Sequence, residues 1–401
     1  MGLRPFSRHL LLFTAILTAL LLLTCFYNNH VGFYSHNVAF KRLHRECRQT
    51  QNLFCEYNSG LINSTGVTIM RQVYVPTGPF MYLYSSGDKA SETILRSGMW
   101  EQEVLNELTW AMITSLPESL RSIRSNGPRT DDPAEWSDVM FVDAGAKIGW
   151  HALNIAARGY EVLAFEGLHQ NQILLRSTLC QNPTLMERVT LYPFALGAQH
   201  EVCLAQSRET NQGQGLVANC SYVSSAAGQA SVVSWYATKL ADGNADHAQE
   251  HQMLEVHRLD KLLNMGVKVL KVDEDGRELK VIQGAAQLFK KYNVWFLLVE
   301  YHRHLAHDGA SLPTTSNEIE AVLHFLKEVM SHGFHVSSDG FQGPYIGPVT
   351  GRSSEGRDTE LQHLVSEMRS GDTLPSFYFY FVNSKLMKAW AKEKDSQPLP
   401  T

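Results

Sequence analysis

The chain has 401 residues, of which 44% are hydrophobic and 19% charged, with a formal net charge of −5. That length suits one large domain with appendages, and the apolar share excludes a wholly disordered chain. The mild acidity leaves no basic footprint, so no nucleic-acid partner is expected.

Arg4 and Arg8 precede an uncharged apolar run, Leu10 to Tyr27. The run is about the minimum length for a membrane-spanning helix. It exceeds the ~7–15-residue apolar region of a cleavable signal peptide, and no small-x-small site closes it. The expectation is an uncleaved transmembrane signal anchor at 10–27, with residues 1–9 cytosolic by the positive-inside rule. The remainder would lie in the lumen of the secretory route, in the endoplasmic reticulum or Golgi. There, cysteine pairs such as Cys47–Cys55 and Cys203–Cys220 could form. Asn63-Ser64-Thr65 and Asn219-Cys220-Ser221 are N-glycosylation sequons.

Residues 28–66 are polar without sustained periodicity and read as a stem, with local order possible around Cys47 and Cys55. Residues 67–138 form a lead-in segment: an extended stretch over Val73–Tyr84, a helix over Glu101–Leu116, then a Gly/Pro loop. From 139 to 387 strands and helices alternate. Strands are expected at Val139–Val142, Glu161–Phe165, Val189–Ala195, Val267–Val272, Val294–Glu300, Phe334–Val336 and Ser376–Val382. Helices are expected at Ile148–Arg158, Gln170–Cys180, Leu279–Tyr292 and from Thr315 to Met330, where Thr315 and Glu318 fit a capping box. Residues 198–256 read as an irregular insertion with short strand candidates, and 388–401 as a polar tail. This order predicts a mainly parallel seven-stranded α/β sheet closed by one antiparallel strand.

Four segments carry candidate chemistry. Asp143-Ala144-Gly145-Ala146-Lys147-Ile148-Gly149 joins a strand to a helix, where an open α/β sheet binds ligands. Gly145 permits a tight turn, Gly149 lets the helix pack close, and Asp143 can accept hydrogen bonds. Glu166, at the tip of the next strand, is placed to bind a ribose diol. A pyrophosphate site would show G-x-G-x-x-G, but Lys147 stands at the middle glycine, which turns the pair away from dinucleotides. Lys271-Val272-Asp273-Glu274-Asp275-Gly276-Arg277-Glu278 ends the fourth strand; Asp273 and Asp275 can orient a substrate or cofactor, and Glu278 reads as a helix cap. Glu300-Tyr301-His302 ends the fifth strand, and either Glu300 or His302 could take a proton from a hydroxyl. His302, His304 and His307 lack a matching partner set, so no metal is expected.

The texts "FVDAGAKIGWHALNIAARGYEVLAFEG", "RVTLYPFALG", "LKVDEDGRELKVIQGA" and "LLVEYH", in this order, resemble the FkbM family of methyltransferases. The lead-in "GDKASETILRSGMWEQEVLNEL" adds to the likeness, which covers roughly residues 85–305. The resemblance implies a Rossmann-like methyltransferase fold, S-adenosylmethionine as cofactor, and methyl transfer to oxygen, often on sugars or natural-product hydroxyls. It carries Asp143, Gly145, Gly149 and Glu166 over as cofactor-binding residues. Asp273, Asp275, Glu300 and His302 become candidates near the methyl acceptor, with the base unassigned. Lys147 stands where the family commonly has Asn, Gly167 where Pro usually follows the acid, and Asp275 where Glu is usual.

The expected function is therefore an S-adenosylmethionine-dependent O-methyltransferase acting on a small-molecule or glycan hydroxyl. Two alternatives stay open. One is a metal-dependent glycosyltransferase using the D-x-D triplet Asp273-Glu274-Asp275. The other is a non-catalytic binding protein with the same fold.

Overall fold

The computed structural model describes residues 36–64, 70–74, 79–120, 140–208, 211–222, 251–302, 315–348, 354–369 and 376–396. The apolar run at 10–27, the loop at 125–136, and His304 and His307 lie outside them.

Within the expected stem, His36–Ser64 forms one 29-residue helix, α1. Phe40, His44, Cys47 and Gln51 recur at helical spacing and are buried. Half of that stripe is polar, which hides it from a hydrophobicity pattern. The His44 ring meets the Tyr192 hydroxyl at 2.9 Å, and Gln51 Nε2 donates to the Arg176 carbonyl at 3.1 Å. Cys55 is bonded to Cys180, and Cys203 to Cys220. The expected Cys47–Cys55 bridge does not form, because eight helical residues separate the two by about 12 Å, beyond disulfide reach. Cys47 is a buried cysteine outside both bridges.

A hairpin of β1 (Met70–Tyr74) and β2 (Phe80–Tyr84) leads to α2 (Lys89–Ser97) and α3 (Gln102–Ile113). Asp88 caps α2 by accepting from the Ser91 N–H at 2.7 Å. The α/β order follows: β3 (Met140–Ala144), α4 (Trp150–Ala157), β4 (Glu161–Phe165), α5 (His169–Gln181), α6 (Pro183–Met186) and β5 (Val189–Tyr192). Then come β6 (Ala195–Leu196), β7 (Glu201–Arg208), β8 (Asn211–Tyr222), β9 (His251–His257), α7 (Leu259–Leu262) and β10 (Val267–Val272). The chain continues through α8 (Glu278–Gly284), α9 (Ala286–Lys291), β11 (Val294–His302), α10 (Thr315–Ser331), β12 (Phe334–Ser337), α11 (Ser354–Arg369), β13 (Ser376–Asn383) and α12 (Ser384–Ser396). The expected polar tail at 388–401 is thus helical as far as Ser396, with Trp390 packed beside Phe296.

Seven strands form the main sheet in the order β12-β13-β11-β10-β3-β4-β5. The expectation of a mainly parallel sheet is corrected here: the sheet is mixed. The strands from β11 to β5 pair in parallel, but β13 runs antiparallel to both β11 and β12. A second, four-stranded sheet, β6-β9-β7-β8, occupies the region read as an irregular insertion; both β7 pairings there are antiparallel. The expected transmembrane helix, and with it the single-pass membrane topology, is not supported. No helix among the described residues is long and apolar enough to cross a membrane.

Alternation along the central strands builds two cores, one on each face of the sheet. Met140, Val142 and Ala144 of β3 join one with Phe325 and Leu326 of α10. Phe141 joins the other with Leu105 and Leu108 of α3 and Leu153 of α4. A charge buried in this interior needs a partner. Lys268 on β10 donates to the carbonyl of Met112 at 2.7 Å, at the carboxyl end of α3.

Candidate active site

The strand order reverses at β3, which places a crevice beyond the carboxyl ends of β3 and β10. A cleft of about 1070 Å³ opens there, walled by the ends of β4, β10 and β11, by β8 of the second sheet, and by the start of α3.

The turn after β3 closes onto β4: the N–H groups of Gly145 and Ala146 both donate to the Phe165 carbonyl, at 3.0 and 2.9 Å. Gly145 has φ 79, and a Cβ there would lie 1.8 Å from the Asp273 carbonyl oxygen. Only glycine lets the two strand ends approach this closely. Lys147 also has a positive φ, 54, a region where Asn is tolerated more readily than Lys. Its N–H donates to Glu166 Oε2 at 2.7 Å, while its Nζ lies 2.9 Å from the buried Asp88 carboxylate. The departure at 147 therefore leaves the turn intact and directs the long side chain to a partner.

Glu166 is buried at the tip of β4 and lines the cleft. Its second oxygen accepts from the Leu168 N–H at 2.6 Å. Burial, opposed by these two amides, pushes its carboxyl up to about 7. A carboxylate has about four acceptor sites, so further donors can be accommodated.

Asp143 does not line the cleft. It is fully buried, and its Oδ1 sits 3.2 Å from Lys271 Nζ. Lys271 also reaches Asp273 Oδ2 at 3.1 Å and the Gly145 carbonyl at 3.4 Å. This buried lysine ties the ends of β3 and β10 together, and sequence reasoning gave it no role. The signal was present, since a lysine inside the otherwise apolar run ending β10 needs a buried acid to pair with. Burial pushes Asp273 up, but the nearby cations Lys271 and His302 outweigh it and hold the carboxyl below its ordinary value.

His302 collects the acids. Its Nδ1 lies 3.1 Å from Glu278 Oε1, and its Nε2 lies 3.7 Å from Glu300 and 3.9 Å from both Asp273 and Asp275. Burial opposes protonation, but Glu278, Asp273 and Glu300 prevail and push the imidazole up to about 10. His302 is thus a cation at neutral pH. Glu278, read from sequence as a helix cap, instead orients the ring; its Oε1 also accepts from the Gly276 N–H at 2.8 Å. Glu300 accepts from the Ser376 hydroxyl at 2.6 Å, and burial, then Asp273 and Glu101, push its carboxyl up to about 8. Asp275, with φ 46, accepts from Gln214 Nε2 at 2.7 Å and the Gly215 N–H at 3.1 Å, which pins β8 over the cleft. Glu101, at the start of α3, and Tyr378 on β13 complete the wall and are hydrogen-bonded to each other.

The structure brings Gly145, Glu166, Asp273, Asp275, Glu300 and His302 to one cleft, and places Asp143 and Gly149 behind it. A Cβ on Gly149 would meet Leu175 at 2.4 Å, so this glycine serves helix packing. Asp273, Glu300 and His302 each bring one ligand atom within 4.8 Å of the others, an arrangement that can also hold a cation. That set is not the D-x-D triplet, because Asp275 is engaged by β8 and Glu274 Oε1 accepts from the Leu196 N–H at 3.3 Å.

Residues 143–336 match the family model described as the methyltransferase FkbM domain. No curated protein matches the chain. Solved structures similar to it include the methyltransferase FkbM from Methylobacillus flagellatus KT, at 16% identity and TM-score 0.27, covering 54% of this chain and 44% of that one. Another is the precorrin-6y C5,15-methyltransferase from Geobacter metallireducens GS-15, at 10% identity and TM-score 0.28, covering 71% of this chain and 91% of that one. A third is the Haemonchus contortus phosphoethanolamine N-methyltransferase 2 in complex with S-adenosyl-L-methionine, at 8% identity and TM-score 0.28, covering 75% of this chain and 61% of that one. This chain thus spans under half the length of the first of these proteins.

Proposed function

We propose that the protein, whose residues 143–336 match the methyltransferase FkbM domain model, is an S-adenosylmethionine-dependent O-methyltransferase. The observation that carries this reading is Glu166, a buried carboxylate at the tip of β4, facing the same cleft as Glu300 and His302.

The residues present suit the cofactor. Glu166 would accept from a ribose diol, and Asp273, whose carboxyl is held below its ordinary value, suits the positive charge of a sulfonium or an ammonium group. The cleft is of the size that encloses a nucleoside-sized ligand with room for an acceptor. S-Adenosylmethionine supplies a methyl group already activated on a sulfonium, so the chain has to align an acceptor and remove its proton.

Glu300 is the proposed base. Its raised affinity for a proton lies near neutral pH, which suits general-base work, and Ser376 fixes one of its oxygens. His302 carries its proton already, so its role is to offset the surrounding carboxylates and hold Asp273 and Asp275 in place. Glu278 positions His302 through Nδ1. Trp100, Tyr378 and Tyr380 give the acceptor end of the cleft aromatic faces among carboxylates, a lining that suits a hydroxyl-rich acceptor such as a sugar.

The test is transfer of labelled methyl from S-adenosylmethionine to a panel of glycans and small alcohols by the full chain. The reading expects transfer that Glu300→Gln abolishes while cofactor binding persists. Absence of cofactor binding in the unmodified protein overturns it.

A further inference from the structure

A second cluster of ligating side chains lies outside the cleft, on the four-stranded sheet. His200 precedes β7, and Glu255 and His257 end β9. In the antiparallel pairing of these strands Glu201 faces Val256 and Val202 faces Glu255, so the next step along the register sets His200 opposite His257. Alternation does the rest. Leu254 and Val256 point into the small core beneath this sheet, and Leu254 reaches the cleft. Glu255 and His257 therefore share the opposite face.

The geometry on that face is compact. The two imidazole rings stack with centroids 4.5 Å apart and planes 25° from parallel. His257 Nε2 lies 3.1 Å from Glu255 Oε2. One ligand atom from each of the three residues falls within 4.8 Å of the others. His200 Nε2 is buried and has no hydrogen-bond partner. A buried nitrogen left without a partner is unfavourable, and a lone-pair acceptor in the same small volume would relieve it.

Two imidazoles joined by one carboxylate are a donor set that suits a borderline divalent ion such as zinc, with water completing the coordination. A solvated surface pair of histidines would leave both rings free to turn to water. Here the Phe194 ring, with its centroid 4.3 Å from that of His257, backs the cluster and holds it closed on one side.

We propose that His200, Glu255 and His257 form a divalent transition-metal site on the outer face of the four-stranded sheet, distinct from the cleft, that clamps β7 to β9. Through β7 the clamp supports β8, whose Gln214 and Gly215 hold Asp275. The role is structural, and it stands whether or not the cleft transfers methyl groups.

The test uses the full chain stripped of metal by a chelator and titrated with Zn²⁺ and with Co²⁺. Expected are one tight equivalent, a visible four- or five-coordinate Co²⁺ spectrum, and a higher melting temperature on loading. His200→Asn and Glu255→Gln should each weaken binding at least about 10-fold, and His257→Ala about 100-fold. All three should keep the wild-type far-ultraviolet spectrum in the metal-free state. Glu300→Gln, in the other ligating cluster, should leave this equivalent unchanged. Binding that survives His257→Ala and His200→Asn but is lost in Glu300→Gln places the metal in the cleft and overturns the proposal. No tight equivalent in the wild type overturns it as well.

Discussion

Gly145→Ala attacks the closest backbone approach in the candidate site. The new methyl would sit 1.8 Å from the Asp273 carbonyl oxygen, at a residue with φ 79. Two costs add. An L-residue in the left-handed region costs about 1–2 kcal/mol. Prising the strand ends apart by roughly an ångström or more adds about 1–3 kcal/mol of overpacking strain. The expected loss is thus about 2–5 kcal/mol, felt where the Asp273 N–H donates to the Ala144 carbonyl at 2.9 Å. Gly159→Ala is the control: its φ is 96, but nothing lies within 4 Å of the added methyl, so only the backbone cost of about 1–2 kcal/mol applies. Denaturant melts of the two variants would separate the contributions. Equal midpoints would refute the close-approach reasoning.

Three further outcomes are expected. Cys180→Ser should cost up to about 5 kcal/mol and Cys203→Ser about 3 kcal/mol, because the bridges close loops of 125 and 17 residues; melts under oxidising conditions check this, and a larger loss for Cys203→Ser would contradict it. Stability should fall as pH rises from about 7 to 10, measured by denaturant midpoints across that range; below 6.5 the buried His44 and His151, lowered to about 4 and about 3, act the other way. Folding raises His302 from 6.5 to about 10, so its stabilisation is complete below 6.5 and is lost as pH rises to about 10. Glu166 and Glu300 are raised from 4.5 to about 7 and about 8, so the cost of burying their charges grows from 4.5 up to those values. A midpoint that climbs from pH 7 to 9 would contradict this reasoning. Finally, Glu278→Gln should bring the His302 titration down from about 10 toward the ordinary histidine value, since the Glu278 hydrogen bond is the largest cause raising it; an imidazole NMR titration that does not move would remove Glu278 from its positioning role.

The central βαβ unit was legible because its signals are local. The expected strand Glu161–Phe165 is β4, and Val267–Val272 is β10, each a short run rich in Val and Leu bounded by turn residues. Gly145 and Glu166 follow from the same unit, since a turn glycine and an acid at the next strand tip need only correct spacing. The parts that were not legible depend on partners distant in sequence. Helix α1 buries His44 and Gln51 against β5 and α5, a polar stripe that carries no hydrophobic period. The second sheet forms by pairing β7 with β9 across a long segment, so neither strand announces its neighbour. Glu278 passed for a helix cap because its true partner, His302, lies 24 residues away on β11. The D-x-D triplet is split for the same reason, since Asp275 holds β8 through Gln214.

The most direct measurement is a calorimetric titration of S-adenosylmethionine into the full chain and into its Glu166→Gln variant. The proposed function predicts one-to-one binding by the wild type. It also predicts affinity reduced about 10- to 150-fold in the variant, the worth of a hydrogen bond to a buried charged group at ~1.5–3 kcal/mol. Equal affinity in both proteins, or no heat of binding in the wild type, would contradict it.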